Sequence, residues 1–180
     1  MRRRVVVTGM GTLNPLGHDV DTFWAGVVAG RSGIGPITAY DASEQAVRIA
    51  GEVKGFDATR VLGLKEARRT DRFSQLIVAA ADQAIADAGL VFAGGNGNNR
   101  HVGVIVGTGI GGVGTLLDAY DTLRTRGPRR VSALMAPMMM PNAGAGEIAI
   151  KYGLHGISLS RASACATGSN ALGEAAERIR

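Results

Sequence analysis

Short apolar runs and longer stretches with helical spacing alternate along this chain. The runs at 4–8 and 102–106 are β-branched and end at glycine, which predicts two buried strands. A third buried strand is predicted at 157–160, and a further short one at 47–53. Each of the three buried runs is followed by a stretch with the pattern of a helix.

The strongest helical pattern follows Thr70 and Asp71, either of which can begin the helix, and Gly89 stops it. Its apolar positions recur at helical spacing: Phe73, Leu76, Ile77, Ala80, Ala81, Ala84 and Ile85. Four more helices are predicted: one capped by Asp19 or Asp21 and ending at Gly30, and others at 113–124, 141–152 and 166–179. The segment 65–71 is a charged approach to the helix that begins at Thr70 or Asp71. Segments predicted to be irregular are 31–41, the surface loop tip 94–99, and 126–140.

Strands that alternate with helices predict a layered α/β domain with a largely parallel sheet. The chain has 180 residues, enough for one domain, and its 46% hydrophobic but 4% aromatic content predicts a core of aliphatic side chains and alanine. The last helix runs to Arg180 without a stop signal, so we expect a truncated chain.

The formal net charge of +5 fits either an ordinary basic surface or an acidic partner. The basic residues are scattered and not interleaved with aromatics, which disfavours nucleic acid. The sequence contains no stretch of 18 apolar residues, so we expect no membrane span. The basic start at Met1 precedes an apolar run too short for a signal peptide, and the single cysteine fits a reducing compartment, so we expect a cytoplasmic protein.

The single cysteine, Cys165, lies between the predicted strand 157–160 and the predicted helix 166–179. This order is typical of a nucleophile elbow, in which a helix N-terminus favours the thiolate and can donate N–H groups to an oxyanion. The alternative is a buried structural cysteine. The glycine-rich turn 107–112 could suggest a dinucleotide loop, but no acidic residue at the ribose-binding distance is evident.

The segment Ala164-Cys165-Ala166-Thr167-Gly168 resembles the active-site segment of β-ketoacyl-(acyl carrier protein) synthases. Other segments resemble that family in the same order, over nearly the whole chain: Val6-Val7-Thr8-Gly9-Met10-Gly11, Asn14-Pro15-Leu16-Gly17, Gly30-Arg31-Ser32-Gly33-Ile34, Arg69-Thr70-Asp71-Arg72-Phe73, 104–112, Pro141-Asn142-Ala143-Gly144-Ala145-Gly146 and Tyr152-Gly153-Leu154-His155-Gly156. Ile157 and Arg161 depart from the family pattern, and we expect both to change packing more than chemistry.

The resemblance implies the first half of a thiolase-like layered α-β-α-β-α fold, with residues 1–180 as the N-terminal half of the synthase domain. It implies decarboxylative condensation in fatty acid biosynthesis, with Cys165 accepting an acyl group from acyl carrier protein before malonyl carrier protein attacks. It implies no cofactor and no metal. Alternatives are a polyketide ketosynthase, or a non-catalytic fragment acting in dimerisation or carrier docking. The family's catalytic histidines lie in its second half, and His18, His101 and His155 do not match them.

Further roles follow from the same resemblance. Ile110 would gate the acyl pocket, although simple core packing is equally open. The apolar stretch Leu134, Met135 and 138–140 would line an adaptable tunnel in a homodimer, or form ordinary core. Lys65, Arg68 and Arg69 share one side of a helical turn. With Arg129 and Arg130 they would dock the acidic carrier protein, the alternative being a solvated charged turn.

Overall fold

The computed structural model describes residues 3–92 and 98–180, and its chain divides into two compact units. The first unit comprises Met1–Val7, Ala58–Val78 and Val91–Arg180. The second comprises Thr8–Asp57 and Ala79–Leu90.

The first helix of the second unit is α1, Val20–Val28, as the sequence predicts. Asp19 is its N-cap: the carboxylate accepts from the Thr22 N–H at 2.7 Å and from the Thr22 hydroxyl at 3.0 Å. Gly30 follows the C-terminal end of the helix and has φ 63°, a conformation that favours glycine. Strands β1 (Gly35–Pro36) and β2 (Ile49–Ala50) then pair antiparallel. The first lies in the predicted loop 31–41, and the second lies within the predicted strand 47–53.

Two glycines near the start of the second unit lie directly against the end of helix α3, Arg72–Asp87. A Cβ on Gly9 would lie 2.2 Å from the Ala84 carbonyl oxygen, and one on Gly11 would lie 2.1 Å from the Ala80 carbonyl oxygen. The segment between them is also bonded to the helix, because the Met10 N–H donates to the Asp87 carboxylate at 2.9 Å. Glycine is required here for close approach of two backbones.

The strand predicted at 4–8 does not form. Val6 and Val7 are 66% and 76% exposed. A strand exists only through hydrogen bonds to a neighbouring strand. No strand in the ranges 3–92 and 98–180 pairs with this segment. The prediction of a buried strand at 4–8 is therefore wrong both in its pairing and in its burial.

The first unit is built on strands β3 (Val104–Gly107) and β4 (Ser158–Arg161). They pair in parallel, with Val104 opposite Ser158 and Gly107 opposite Arg161. Val104 and Val106 are buried, as predicted for 102–106. Ile157 and Ser158 are exposed and the next two residues are half-buried, so the prediction of a buried strand at 157–160 is wrong in its burial.

The first unit also contains helices, and the last two along the chain pack against both strands. The helices are α2 (Ala58–Ala67), the first part of α3, α4 (Val113–Arg126), α5 (Met135–Met139), α6 (Ala143–Tyr152) and α7 (Thr167–Ile179), with 3₁₀ turns at Asn98–His101, Pro128–Arg130 and Ala164–Ala166. Predicted helices thus correspond to α3, α4, α6 and α7. Helix α2 was not predicted, because Gly63, at φ 78°, kinks it and breaks its apolar period. Helix α5 and the turn before it lie in the segment 126–140, which was predicted to be irregular.

Most of the predicted loop tip 94–99 lies outside the described residues. Its last residue, Asn99, is 6% exposed, and its amide donates to the Tyr152 carbonyl at 3.1 Å. Surface placement is therefore wrong for Asn99.

The core of the first unit is small and mostly aliphatic, as the composition predicts. Val78 and Ser74 are fully buried. The other buried apolar residues of this unit include Val104, Val106, Ala145, Ile148 and Leu154. No helix among the described residues is long and apolar enough to cross a membrane.

Candidate active site

The single cysteine lies on the turn between β4 and α7. Cys165 is the middle residue of the 3₁₀ turn Ala164–Ala166 and stands two residues before α7 begins. Its thiol is free and the residue is exposed. The alternative of a buried structural cysteine is therefore wrong, and the predicted strand–turn–helix order around it is confirmed.

The turn carries backbone strain immediately before the cysteine. Ala164 has φ 49°, and it is the one non-glycine residue with positive φ in the described part of the chain. This left-handed conformation costs an L-residue roughly 1–2 kcal/mol. Such strain persists only where surrounding contacts hold it, and it clusters at functional sites.

The floor beneath this turn is formed by the end of β3. Gly107 lies against Thr167, the first residue of α7: a Cβ on Gly107 would lie 2.4 Å from the Thr167 side-chain methyl and 2.9 Å from its carbonyl oxygen. Thr167 is 5% exposed. The absence of a side chain at position 107 therefore lets α7 begin directly over the strand.

The glycine-rich turn continues from β3 to α4 and passes close to the end of α5. Gly111 has φ 91°, and a Cβ there would lie 2.6 Å from the Met139 carbonyl oxygen. The Gly112 N–H donates to that same carbonyl at 3.0 Å. The Asp71 carboxylate accepts from the Thr115 hydroxyl at 2.5 Å, which ties the start of α3 to α4. Ile110 is 68% exposed on this turn, so the core-packing alternative is wrong for it.

A cavity of about 290 Å³ brings together three of the predicted site residues, Arg68, Arg130 and Met135. Neither guanidinium forms an ion pair within 3–92 and 98–180. The cavity does not include Cys165, Ile110 or the other predicted docking residues. Those residues, Lys65, Arg69 and Arg129, are all exposed. Met135 is half-buried, so it is not ordinary core.

Helix α4 also lines this cavity, and the sequence analysis did not predict its contribution. Four residues of the helix take part, which are Thr115, Asp118, Ala119 and Thr122. Their spacing of three, four and seven residues places them on one helix face, and the three polar side chains on that face are the signal that could have predicted them. Asp118 adds a carboxylate to a site that otherwise holds two cations.

Arg161, which departs from the family pattern, forms an ion pair with Glu174 of α7 at 2.5 Å. Glu174 also pairs with Arg178 at 2.9 Å. The hydrogen bond from Arg161, followed by that from Arg178, lowers the pKa of the Glu174 carboxyl below its ordinary value. Arg161 therefore joins β4 to α7 next to the cysteine turn, and its role as a local packing change remains a prediction.

A second cavity, of about 200 Å³, holds carboxylates from two helices, Glu66 of α2 and Glu147 of α6. Burial, and then the charge of Glu66, raise the pKa of the Glu147 carboxyl above its ordinary value. Lys151 lines the same cavity, and its other walls are apolar.

Comparison with known proteins relates this geometry to a family. The family model for the β-ketoacyl synthase N-terminal domain matches residues 2–180. The chain belongs to this β-ketoacyl synthase family. A curated relative, the 3-oxoacyl-(acyl-carrier-protein) synthase 2 of Synechocystis sp. strain PCC 6803, is 49% identical over 174 residues. That alignment covers 97% of this chain and 41% of the relative.

Solved ketosynthases share the fold. The ishigamide ketosynthase/chain length factor superposes with a TM-score of 0.84 at 28% identity, over 98% of this chain and 45% of the other. A second solved structure is a type II PKS acyl-carrier protein in complex with its ketosynthase bound to the hexaketide. It superposes with a TM-score of 0.78 at 25% identity, over 98% of this chain and 46% of the other. The chain thus has the thiolase-like α/β fold of the β-ketoacyl synthases, as its sequence motifs imply. It spans less than half the length of these relatives.

Proposed function

We propose that this chain supplies the acyl-accepting part of a β-ketoacyl-(acyl carrier protein) synthase, an acyltransferase of fatty acid biosynthesis, with Cys165 as its nucleophile. The observation that carries the proposal is the exposed thiol on a strained strand–turn–helix of a β-ketoacyl synthase domain. Helix α7 begins two residues after Cys165, and the unpaired N–H groups of a helix N-terminus can donate to the oxyanion that forms during acyl transfer. The chain acts here as the N-terminal half of the synthase domain.

The proposed reaction has two stages. The Cys165 thiolate attacks the thioester carbonyl of an acylated carrier protein and releases the carrier thiol. Malonyl carrier protein then loses carbon dioxide, and the resulting carbanion attacks the new thioester, which frees Cys165 and lengthens the acyl chain. Neither stage calls for a cofactor or a metal. The residues that promote decarboxylation belong to the half of the family fold that follows this one.

The cavity that holds Arg68 and Arg130 supports a carrier-docking surface. Two cations without ion-pair partners converge there, and Lys65, Arg69 and Arg129 extend the positive surface around them. An acidic carrier protein complements this charge. One solved neighbour is a ketosynthase in complex with its acyl-carrier protein, which supports the same class of partner.

The acyl pocket and the assembly state form the last part of the proposal. Ile110, exposed on the glycine-rich turn, gates the acyl chain, and Met135 lines its path. We propose that the native protein is a cytoplasmic homodimer, which sedimentation at micromolar concentration tests. Exposed apolar side chains, among them Val7 at 76% and Leu172 at 71%, support a covered surface.

Replacement of the nucleophile tests the main proposal. In the native protein, Cys165→Ala should abolish both the acyl-enzyme adduct seen by mass spectrometry and the condensation, by at least about a thousand-fold. The neighbouring variant Ser169→Ala is the control and should keep full activity. Normal condensation by Cys165→Ala would contradict the proposal. Wild-type protein that binds carrier without forming an adduct would identify it as a non-catalytic docking module.

A polyketide ketosynthase is the second candidate, because the solved neighbours include a type II polyketide complex. The higher identity to a curated 3-oxoacyl-(acyl-carrier-protein) synthase 2 favours fatty acid synthesis. Product analysis separates them: with acyl and malonyl carrier proteins and no reductase, we expect one elongation per acyl chain. Products with several unreduced keto groups would favour the polyketide function.

A further inference from the structure

The residue two positions before Cys165 is bonded to helix α7 through both its backbone and its side chain. The Ser163 N–H donates to the Thr167 hydroxyl at 2.8 Å. The Ser163 hydroxyl oxygen accepts from the Asn170 amide at 2.6 Å. The Ser163 carbonyl accepts from the Ala166 N–H at 3.1 Å. Every polar group of Ser163 is therefore held by the turn or by the helix.

The two helix residues that hold Ser163 act from one face of α7. Thr167 and Asn170 are three residues apart, so their side chains are neighbours on the helix surface. Thr167 is itself fixed, because it is buried against Gly107 of β3. We call the hydrogen-bonded set Ser163, Thr167 and Asn170 the Ser163 clamp.

We propose that Asn170 is a positioning residue for Cys165, acting through Ser163. Only Ala164 lies between Ser163 and the cysteine, and its φ of 49° is one that an alanine leaves readily unless it is held. The clamp holds the residue before Ala164, and thereby sets the direction in which the thiol leaves the turn. This inference rests on the proposed role of Cys165 as the acyl acceptor.

Loss of the Asn170 bond should relax the turn without unfolding the helix, because the bond from Ser163 to Thr167 remains. Attack on a thioester carbonyl needs the sulfur within about 3–3.5 Å of the carbon and correctly aligned. A small alkylating reagent approaches an exposed thiol from many directions. A loosened turn should therefore slow acyl transfer much more than it slows alkylation.

The experiment compares Asn170→Ala, Ser163→Ala and the double variant in the native protein. Each single variant should slow acyl transfer from an octanoyl carrier protein to Cys165 by about ten-fold, seen in kcat with KM for the carrier unchanged, while the alkylation rate with iodoacetamide changes by less than about two-fold. The double variant should lose no more than either single one, because all three lack the same hydrogen bond.

Ser169→Ala is the matched control. Ser169 is the exposed neighbour of Asn170, and its hydroxyl makes no hydrogen bond within 3–92 and 98–180, so its rates should match those of the wild type. Equal slowing of alkylation and acyl transfer, or additive losses in the double variant, would overturn the proposal. If Asn170→Ala transferred acyl groups at the wild-type rate while Cys165→Ala was inactive, only the Ser163 clamp would be refuted. Acyl transfer by Cys165→Ala would instead refute the proposed nucleophile.

Discussion

At the scale of single residues, the contacts around the cysteine turn depend on where a side chain is missing. Gly107 ends β3 and Gly109 lies two residues later on the turn to α4, yet their surroundings differ. A Cβ on Gly107 would meet the Thr167 methyl group and backbone, whereas one on Gly109 would meet no heavy atom within 4 Å. Only Gly107 is required for the start of α7 to lie over the strand.

The variant Gly107→Ala should therefore destabilise the protein, by about 1–3 kcal/mol, since the new methyl group overlaps backbone that cannot move away cheaply. Urea denaturation measures the loss as a lower midpoint with an unchanged slope. Gly109→Ala is the matched control and should change the free energy of unfolding by less than about 0.5 kcal/mol. Equal effects of the two substitutions would contradict the packing described for β3 and α7.

At the scale of elements, helices α2 and α6 each bring a carboxylate to one apolar cavity. Burial and the neighbouring Glu66 raise the pKa of Glu147, so its ionised form is disfavoured in the folded state relative to the unfolded one. The corresponding stability is fully present below the ordinary pKa of 4.5 and is lost as pH rises through the raised value. Glu147 therefore weakens the folded protein at neutral pH.

Glu147→Gln should raise the free energy of unfolding at pH 7 and leave it nearly unchanged below pH 4.5, where Glu147 is already protonated. Denaturant titrations over this pH range give the difference. Glu66→Gln should show part of the same effect, since it removes only the second cause of the shift. A stabilisation by Glu147→Gln that did not vary with pH would contradict this account.

At the scale of the whole molecule, the largest proposed surface is the positive one around Arg68 and Arg130. These arginines come from different segments, the turn after α2 and the 3₁₀ turn after α4, and they meet at one cavity beside α4. A surface of this kind steers an acidic partner over a range set by salt, because screening shortens the reach of each charge.

Charge reversal by Arg68→Glu should weaken carrier binding by roughly ten-fold at low salt, and the factor should shrink as salt rises. Isothermal titration with acyl carrier protein at several salt concentrations measures this. Arg48→Glu, an exposed arginine of the other unit, changes the net charge equally and should have little effect. If Arg68→Glu left the dissociation constant for the carrier protein unchanged at low salt, the proposed docking surface would be contradicted.

The sequence by itself determined the local features of this protein. Helix α1 with its Asp19 cap and the long apolar face of α3 follow from the spacing of nearby residues, and so does the cysteine between a strand and a helix. These features depend on interactions within a few residues, which periodicity and capping rules describe. The ordered family motifs added the fold and the family, because so many matches at suitable spacing are specific.

Tertiary structure alone decided the features that depend on distant partners. The run 4–8 is β-prone, but strand pairing and burial depend on neighbours that no local pattern specifies. Helix α2 could not be recognised from the spacing of its apolar residues, because the helix is kinked at Gly63. Arg68 and Arg130 share a cavity although 61 residues separate them in sequence. The exposure of Cys165 is likewise a property of what packs around the turn, since burial is set by the whole fold and not by the residues beside it.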